Sequence, residues 1–271
     1  MRRFVTYLSH SSTARRLAQI LRLHRLCNWW LRRFPLIKRL PQSSVVYRAT
    51  RLESIPLAVE MFEQSKLYSA SLLPEGFSTF VDLGCNVGYF TCWLAHLAHG
   101  RKLRGLMLDA NPDAVAEAQW HARANQMPEA IALHAIVGEG LAGEMAEFFL
   151  YESNICSTGH LPDTVKLNLK GKWTKISVPC INIEATWRRY FLETRCHLLK
   201  IDIEGSEMNF LRTEQSFLQL VDSVLIEWHK WSVDFEEINE FLIKHGFHHI
   251  KTIEESEHMG TAFFLRNAAV K

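Results

Sequence analysis

From Thr79 onward the chain alternates short apolar strands with amphipathic helices, and this alternation restricts the fold more than any other feature. "TFVDLG" (79–84) and "GLMLDA" (105–110) are expected as strands, and "YFTCWLAHLA" (89–98) and "PDAVAEAQWHARANQ" (112–126) as helices. "IALHAIV", "HLLKIDI" and "SVLIEW" continue the strands. "SEMNFLRTEQSFLQL" and "FEEINEFLIKHGF" continue the helices, the last closed by Gly246, a residue suited to the position after a helix C-terminus. Strands this apolar, separated by helices, are buried on both faces, so an α/β fold with a mostly parallel, helix-covered sheet is expected. The closing segments "HHIKTIEE" and "TAFFLRN" read as an antiparallel final pair. An irregular stretch, 139–197, holds "EFFLY", "ISVPCIN" and the helical "EATWRRYF".

The charge is unevenly distributed. Residues 1–50 hold eleven Lys/Arg and no acid, whereas the remaining 221 hold twenty bases and twenty-nine acids, a net −9. Thr13 can cap a helix from about Ala14 to Phe34, stopped by Pro35. Leu17, Ile20, Leu21, Cys27, Trp30, Leu31 and Phe34 share one face, and Arg15, Arg22, Arg25, Arg32 and Arg33 the other. A basic amphipathic helix of this kind fits three roles: peripheral membrane contact through residues 14–34, a transit segment, or packing on the domain or a second subunit. The polar, Pro-bounded stretch 40–56 follows, with one strand-like patch, and "AVEMFEQSKLY" reads as a helix leading into the main domain. The expected organisation is an extension and linker over 1–45 and one domain over 46–271.

No apolar run approaches the ~20 residues of a bilayer span. The six cysteines (27, 85, 92, 156, 180 and 196) form no C-x-x-C pair, which points to reduced thiols in a cytoplasmic setting rather than a disulfide framework or zinc site. The net-acidic body of the chain would repel nucleic-acid phosphates, so no nucleic-acid partner is expected.

"VDLGCNVGYF" (81–90) is the loop that decides the ligand. A phosphate loop needs G-x-x-x-x-G-K-[ST], which is absent here. A dinucleotide loop needs G-x-G-x-x-G, and its second glycine is replaced by Asn86, whose side chain obstructs a pyrophosphate. What remains is Asp82 at a strand end, Gly84 for a tight turn and Gly88 for close helix contact. Asp109, at the end of the next strand, can accept hydrogen bonds from ribose hydroxyls, and Asp82 can meet an ammonium. An ammonium and a ribose without a phosphate describe S-adenosylmethionine.

At these residues the chain resembles a known family. "VDLGCNVGYFT" is similar to the D-x-G-A-N-x-G-x-x-[ST] loop of FkbM-family class I methyltransferases, and "LDANP" to their "FEPNP". "LLKIDIEGSEMNFLR" resembles their "LLKIDVEGAELEVLKG", and "VLIEWHK" their following "ILxExH" strand. Cys85 for alanine, Asp109 for glutamate and Ala110 for proline are the departures. The resemblance covers roughly residues 46–250. It implies a Rossmann-like class I methyltransferase sheet, mostly parallel with an antiparallel last strand. It also implies S-adenosylmethionine at Asp82, Gly84, Cys85, Asn86, Gly88, Tyr89, Phe90, Asp109, Ala110 and Asn111, and O-methylation of a sugar, polysaccharide or natural product.

Methyl transfer to a hydroxyl needs a base and an aligned nucleophile. Lys200, Asp202 and Glu204 are expected to alternate onto one face of a strand, and Glu227 and His229 onto one face of the next. Buried strand ends carry ionisable groups only where these are paired or useful, so this edge is the expected site. His229 is the candidate base or hydroxyl orienter. Asp202, Glu204 and Glu227 are candidates to position the nucleophile or to hold a divalent cation such as Mg²⁺. Glu207 reads as an acid in a helix's first turn. "DIEG" stands where amine and base methyltransferases carry [DN]-P-P-[FYW], which favours a small-molecule or glycan hydroxyl as acceptor. The stretch 139–197, with Ser157, Thr158 and Trp173, is expected to cover the acceptor. Competing readings are a catalytically idle S-adenosylmethionine-binding protein docked through its N-terminal helix, and an NAD-dependent enzyme on a similar sheet. A homo-oligomer is left open.

Overall fold

The computed structural model describes residues 23–63, 73–138, 142–151 and 173–267. Seven strands form the central sheet: β3 (Thr79–Leu83), β4 (Arg104–Asp109), β5 (Glu129–His134), β8 (Leu198–Ile201), β9 (Ser223–His229), β10 (Phe247–Glu255) and β11 (Met259–Arg266). Their order is β10-β11-β9-β8-β3-β4-β5. Strands β5, β4, β3, β8 and β9 pair in parallel, while β11 runs antiparallel to both β9 and β10. The parallel core and the antiparallel final pair are thus as the sequence indicated.

Strand alternation sorts the core into two layers. Val81, Leu83, Leu199, Ile201, Val224, Ile226 and Trp228 face one side. There they meet Trp187 of α5 (Ile183–Phe191), Phe210 of α6 (Glu207–Thr213) and Leu242 of α7 (Phe235–Lys244). Phe80, Met107, Leu198, Leu225 and Phe263 face the other, against Phe90 and Leu94 of α3 (Tyr89–Leu97) and Ala118 and Ala122 of α4 (Pro112–Ala124). Every residue of β3 and β8 is buried, as expected of parallel strands covered on both faces.

Two glycines are required by this packing. Gly84 has φ 71°, and a Cβ there would lie 1.7 Å from the Asp202 carbonyl oxygen. At Gly88, with φ 85°, a Cβ would press on Ala118 at 2.9 Å, so the close helix contact is with α4. Gly246 also has a positive φ, 85°, just past the end of α7.

The single helix expected over 206–220 is interrupted. It ends at Thr213, and a 3-10 turn covers Phe217–Leu220. Glu214 is buried and accepts from Asn182 Nδ2 at 2.8 Å, next to the N-terminus of α5, while Phe217 and Leu218 turn into the core. Those anchors cannot share one α-helical path.

Outside the sheet, α1 (Leu23–Arg33) leads to a hairpin of β1 (Leu36–Arg39) and β2 (Val46–Ala49), followed by α2 (Ser54–Glu63). The hairpin is fixed to α4 by side chains that imitate backbone. Asn125 Oδ1 accepts from Val46 N at 2.7 Å, and its Nδ2 donates to Val46 O at 2.8 Å. His121 donates through Nδ1 to Val87 O and accepts at Nε2 from Arg48 N; burial holds it down to about 4, so it stays neutral. Arg48 grips Glu117 through two hydrogen bonds and lies over the Trp120 ring.

Cys27 and Leu31 of α1 are buried against the domain, Leu31 in a cluster with Ala49 and Ile55. Of the roles open to this helix, packing on the domain is therefore what its described part adopts, and Phe34 lies beyond its end. Residues 14–22, with Leu17, Ile20, Leu21, Arg15 and Arg22, lie outside the described residues, as do Ser157 and Thr158. β6 (Met145–Tyr151) and β7 (Trp173–Pro179) form a separate antiparallel pair, in which Tyr151 stands opposite Trp173.

Candidate active site

The ligand edge is built at the carboxyl ends of β3, β4, β8 and β9. After β3 the chain turns through Gly84, Asn86 and Gly88, all with positive φ. Asparagine tolerates this conformation better than other residues with a side chain. Gly84 N and Cys85 N both donate to Leu108 O, which ties the loop to β4. Asp109 joins the two motifs: Oδ2 accepts from Asn86 N at 2.8 Å and Oδ1 from Asn111 N at 2.7 Å. Desolvation raises its pKa to about 6 against the pull of those two bonds. Asn111 caps α4 by accepting from Asp113 N, and Pro112 occupies the first helical turn. Asn86 Oδ1 is a buried acceptor with no hydrogen-bond partner among the described residues.

Several residues expected to touch a ligand also make internal contacts. Asp82 is fully buried and meets an internal ammonium, Lys200 Nζ at 3.5 Å, because the register places the two opposite each other on β3 and β8. Thr91 donates to its other oxygen, and burial raises the pKa of Asp82. Tyr89 points away from the ligand edge, donating to Arg48 O and packing on Tyr47 and His121. Phe90, Cys85 and Ala110 are buried, and Phe90 stacks on Trp93.

The ionisable cluster on β8 and β9 assembles, though not by simple alternation. β8 stops at Ile201, so Asp202 and Glu204 reach the site from a turn in which Glu204 has φ 51° and Gly205 φ 98°. Lys200 Nζ lies 3.1 Å from Asp202 Oδ2. Glu227 and His229 do share one face of β9. His229 Nδ1 lies 3.0 Å from Glu207 Oε1, and its Nε2 lies 3.4 Å from Glu204 and 3.9 Å from Glu227. Glu207, read from sequence as a first-turn acid, is fully buried. It also accepts from Gly205 N at 3.0 Å, and its other oxygen has no hydrogen-bond partner among the described residues.

Burial raises Glu204 and Glu227 to about 8, with Asp202 adding to the effect on Glu227. For His229 burial acts downward, but the Glu207 hydrogen bond and the charges of Glu204 and Glu207 prevail and raise it to about 10. These groups titrate together: protonating Glu204 or Glu227 weakens the pull on His229. The direction common to them is a cluster that retains protons at neutral pH.

Asp202, Glu227 and His229 bring ligand atoms within 4.8 Å of one another. This set fits Mg²⁺ poorly, since Mg²⁺ prefers oxygen ligands and here one ligand is an imidazole while another already has the Lys200 ammonium at 3.1 Å. Trp231 is the residue that sequence reading passed over. Its ring lies over Gly205, where a Cβ would come within 2.1 Å of it, and its centroid is 6.1 Å from that of His229.

The sheet order and the loop joining Asp109 to the turn after β3 define a class I methyltransferase. The chain belongs to the FkbM methyltransferase family, whose domain model matches residues 82–248. No curated protein matches the chain significantly. Among solved structures, a SAM-dependent methyltransferase from Aquifex aeolicus aligns at 12% identity over 78% of this chain and 94% of its own, with a TM-score of 0.43. M. jannaschii TYW2 in complex with AdoMet aligns at 12% identity over 86% of this chain and 87% of its own, with a TM-score of 0.42. A TehB-like SAM-dependent methyltransferase from Corynebacterium glutamicum aligns at 13% identity over 78% of this chain and 87% of its own, with a TM-score of 0.39. Likenesses this distant carry no argument about substrate.

Proposed function

We propose that the chain is an S-adenosylmethionine-dependent O-methyltransferase acting on a hydroxyl of a sugar, polysaccharide or natural product. In this reading residues 46–271 are the catalytic domain and 1–45 its extension. The observation that carries it is the buried Glu207–His229 pair, with a 3.0 Å contact, at the sheet edge that also holds Asp109 and the glycine loop. S-adenosylmethionine, when bound, supplies a methyl group already activated on a sulfonium.

The residues of the loop fit such a donor. Asp109, fixed by two backbone donors, has lone pairs left for ribose hydroxyls. Asn86 Oδ1 is a buried acceptor in want of a donor, and the loop offers no phosphate cradle. Asp82 acts indirectly, by holding Lys200, which in turn holds Asp202. Glu207 fixes the ring of His229, leaving Nε2 turned toward Glu204 and Glu227. His229, once deprotonated, takes the hydroxyl proton at Nε2 as the oxygen attacks, and Glu204 and Glu227 position that oxygen. A base kept at a high pKa suits a hydroxyl, which must give up its proton as it attacks, whereas a neutral amine attacks through a free lone pair. Trp231 offers a half-buried ring for the apolar face of a sugar.

The test is release of S-adenosylhomocysteine from S-adenosylmethionine in the presence of hydroxylated acceptors and matched amines. Turnover is expected with hydroxyls, and His229→Ala is expected to lower kcat by roughly 10²–10⁴-fold with S-adenosylhomocysteine affinity unchanged. An unaltered rate in His229→Ala, or preference for amines, overturns the reading.

A further inference from the structure

The part of the molecule that methyl transfer does not use is the outward face of α1 and the strand after it. With Cys27 and Leu31 turned to the domain, the helical period sends Arg25, Leu26, Trp29, Arg32 and Arg33 outward. Trp29 is 66% exposed, Leu26 51%, Phe34 52% and Ile37 60%. Exposed large apolar side chains gathered on so short a segment mark a contact surface. Arg25, Arg33, Lys38 and Arg39 are exposed beside them and have no ion pair among the described residues. The acid-free first fifty residues carry eleven cations on a chain whose remainder is net acidic.

We propose that this face docks peripherally on an anionic lipid bilayer. Charge selects the occupant. A second copy meeting this face with its own would bring the same cations to the interface, whereas anionic headgroups complement them and admit Trp29, Phe34 and Ile37 at the interfacial depth. Among the described residues no helix is long and apolar enough to cross a membrane. The surface also lies on the rim of the ligand edge. Arg32 at the end of α1 contacts Asp113 at 3.2 Å, and Asp113 follows Asn111, the backbone donor to Asp109. Docking would therefore hold the site beside the bilayer and favour an acceptor hydroxyl carried on a lipid or lipid-linked glycan. That consequence rests on the methyl-transfer reading; the docking does not, since vesicle partition requires neither donor nor acceptor.

The experiment is co-sedimentation of the full chain with vesicles of phosphatidylcholine alone and of phosphatidylcholine mixed with phosphatidylglycerol. Pelleting is expected with the mixed vesicles and is expected to weaken with added salt. Arg33→Gln with Lys38→Gln, and separately Trp29→Ser with Ile37→Thr, should each lower partition by about tenfold while thermal unfolding stays unchanged. Partition that is indifferent to phosphatidylglycerol and to both double variants overturns the proposal. So does light scattering that shows a dimer which Trp29→Ser with Ile37→Thr dissociates, because the face would then be occupied by a second copy.

Discussion

Glu207 determines what His229 can do. A buried imidazole left alone would be held neutral, but the Glu207 hydrogen bond and the flanking carboxylates reverse that and raise it to about 10. As a base it must first lose its proton, so kcat/KM is expected to rise with pH above neutrality and to fall as the cluster protonates. Glu207→Gln removes a cause of the upward shift and leaves burial less opposed. The acidic limb of the kcat/KM profile is therefore expected to move to lower pH by about one unit, with a lower plateau because the ring loses its orienting carboxylate. A limb at the wild-type pH would separate Glu207 from the base. That His229, Asp202, Glu204 and Glu227 would gather into one cluster was legible in the sequence, because charged residues are conspicuous at the ends of apolar strands. The part played by Glu207 was not, because a first-turn acid looks the same whether it faces solvent or, as here, a buried histidine. The inward turn of Asp82 was equally hidden, since it depends on the register that sets Lys200 opposite it.

Among the elements, strands and helices with a strong period were readable from the sequence; of the hairpin, a strand-like patch over 40–56 was readable, but β1 and the pairing were not. β1 and β2 are short and half polar, and what fixes β2 is Asn125, 79 positions away in the chain. Asn125→Ala removes both the acceptor for Val46 N and the donor to Val46 O. It is expected to destabilise the fold by about 1–3 kcal/mol, measured by urea denaturation, with little effect on donor affinity. An unchanged midpoint would mean that the hairpin is held by other contacts. The interruption after α6 has the same origin: the Asn182–Glu214 bond competes with a helical period that is continuous in the sequence.

At the scale of the whole chain, a basic beginning is joined to an acidic catalytic body, and the family match begins at Asp82, within the glycine loop. Sheet order and loop geometry assign the class, while the groups proposed to meet the acceptor, His229 and Trp231, come together only in three dimensions. On this reading the edge between the glycine loop and Asp109 holds a methyl donor. Calorimetric titration with S-adenosylhomocysteine and with NAD tests this directly. Saturable binding of S-adenosylhomocysteine is expected, weakened about tenfold or more in Asp109→Ala, with no binding of NAD. Binding of NAD without binding of S-adenosylhomocysteine would contradict it.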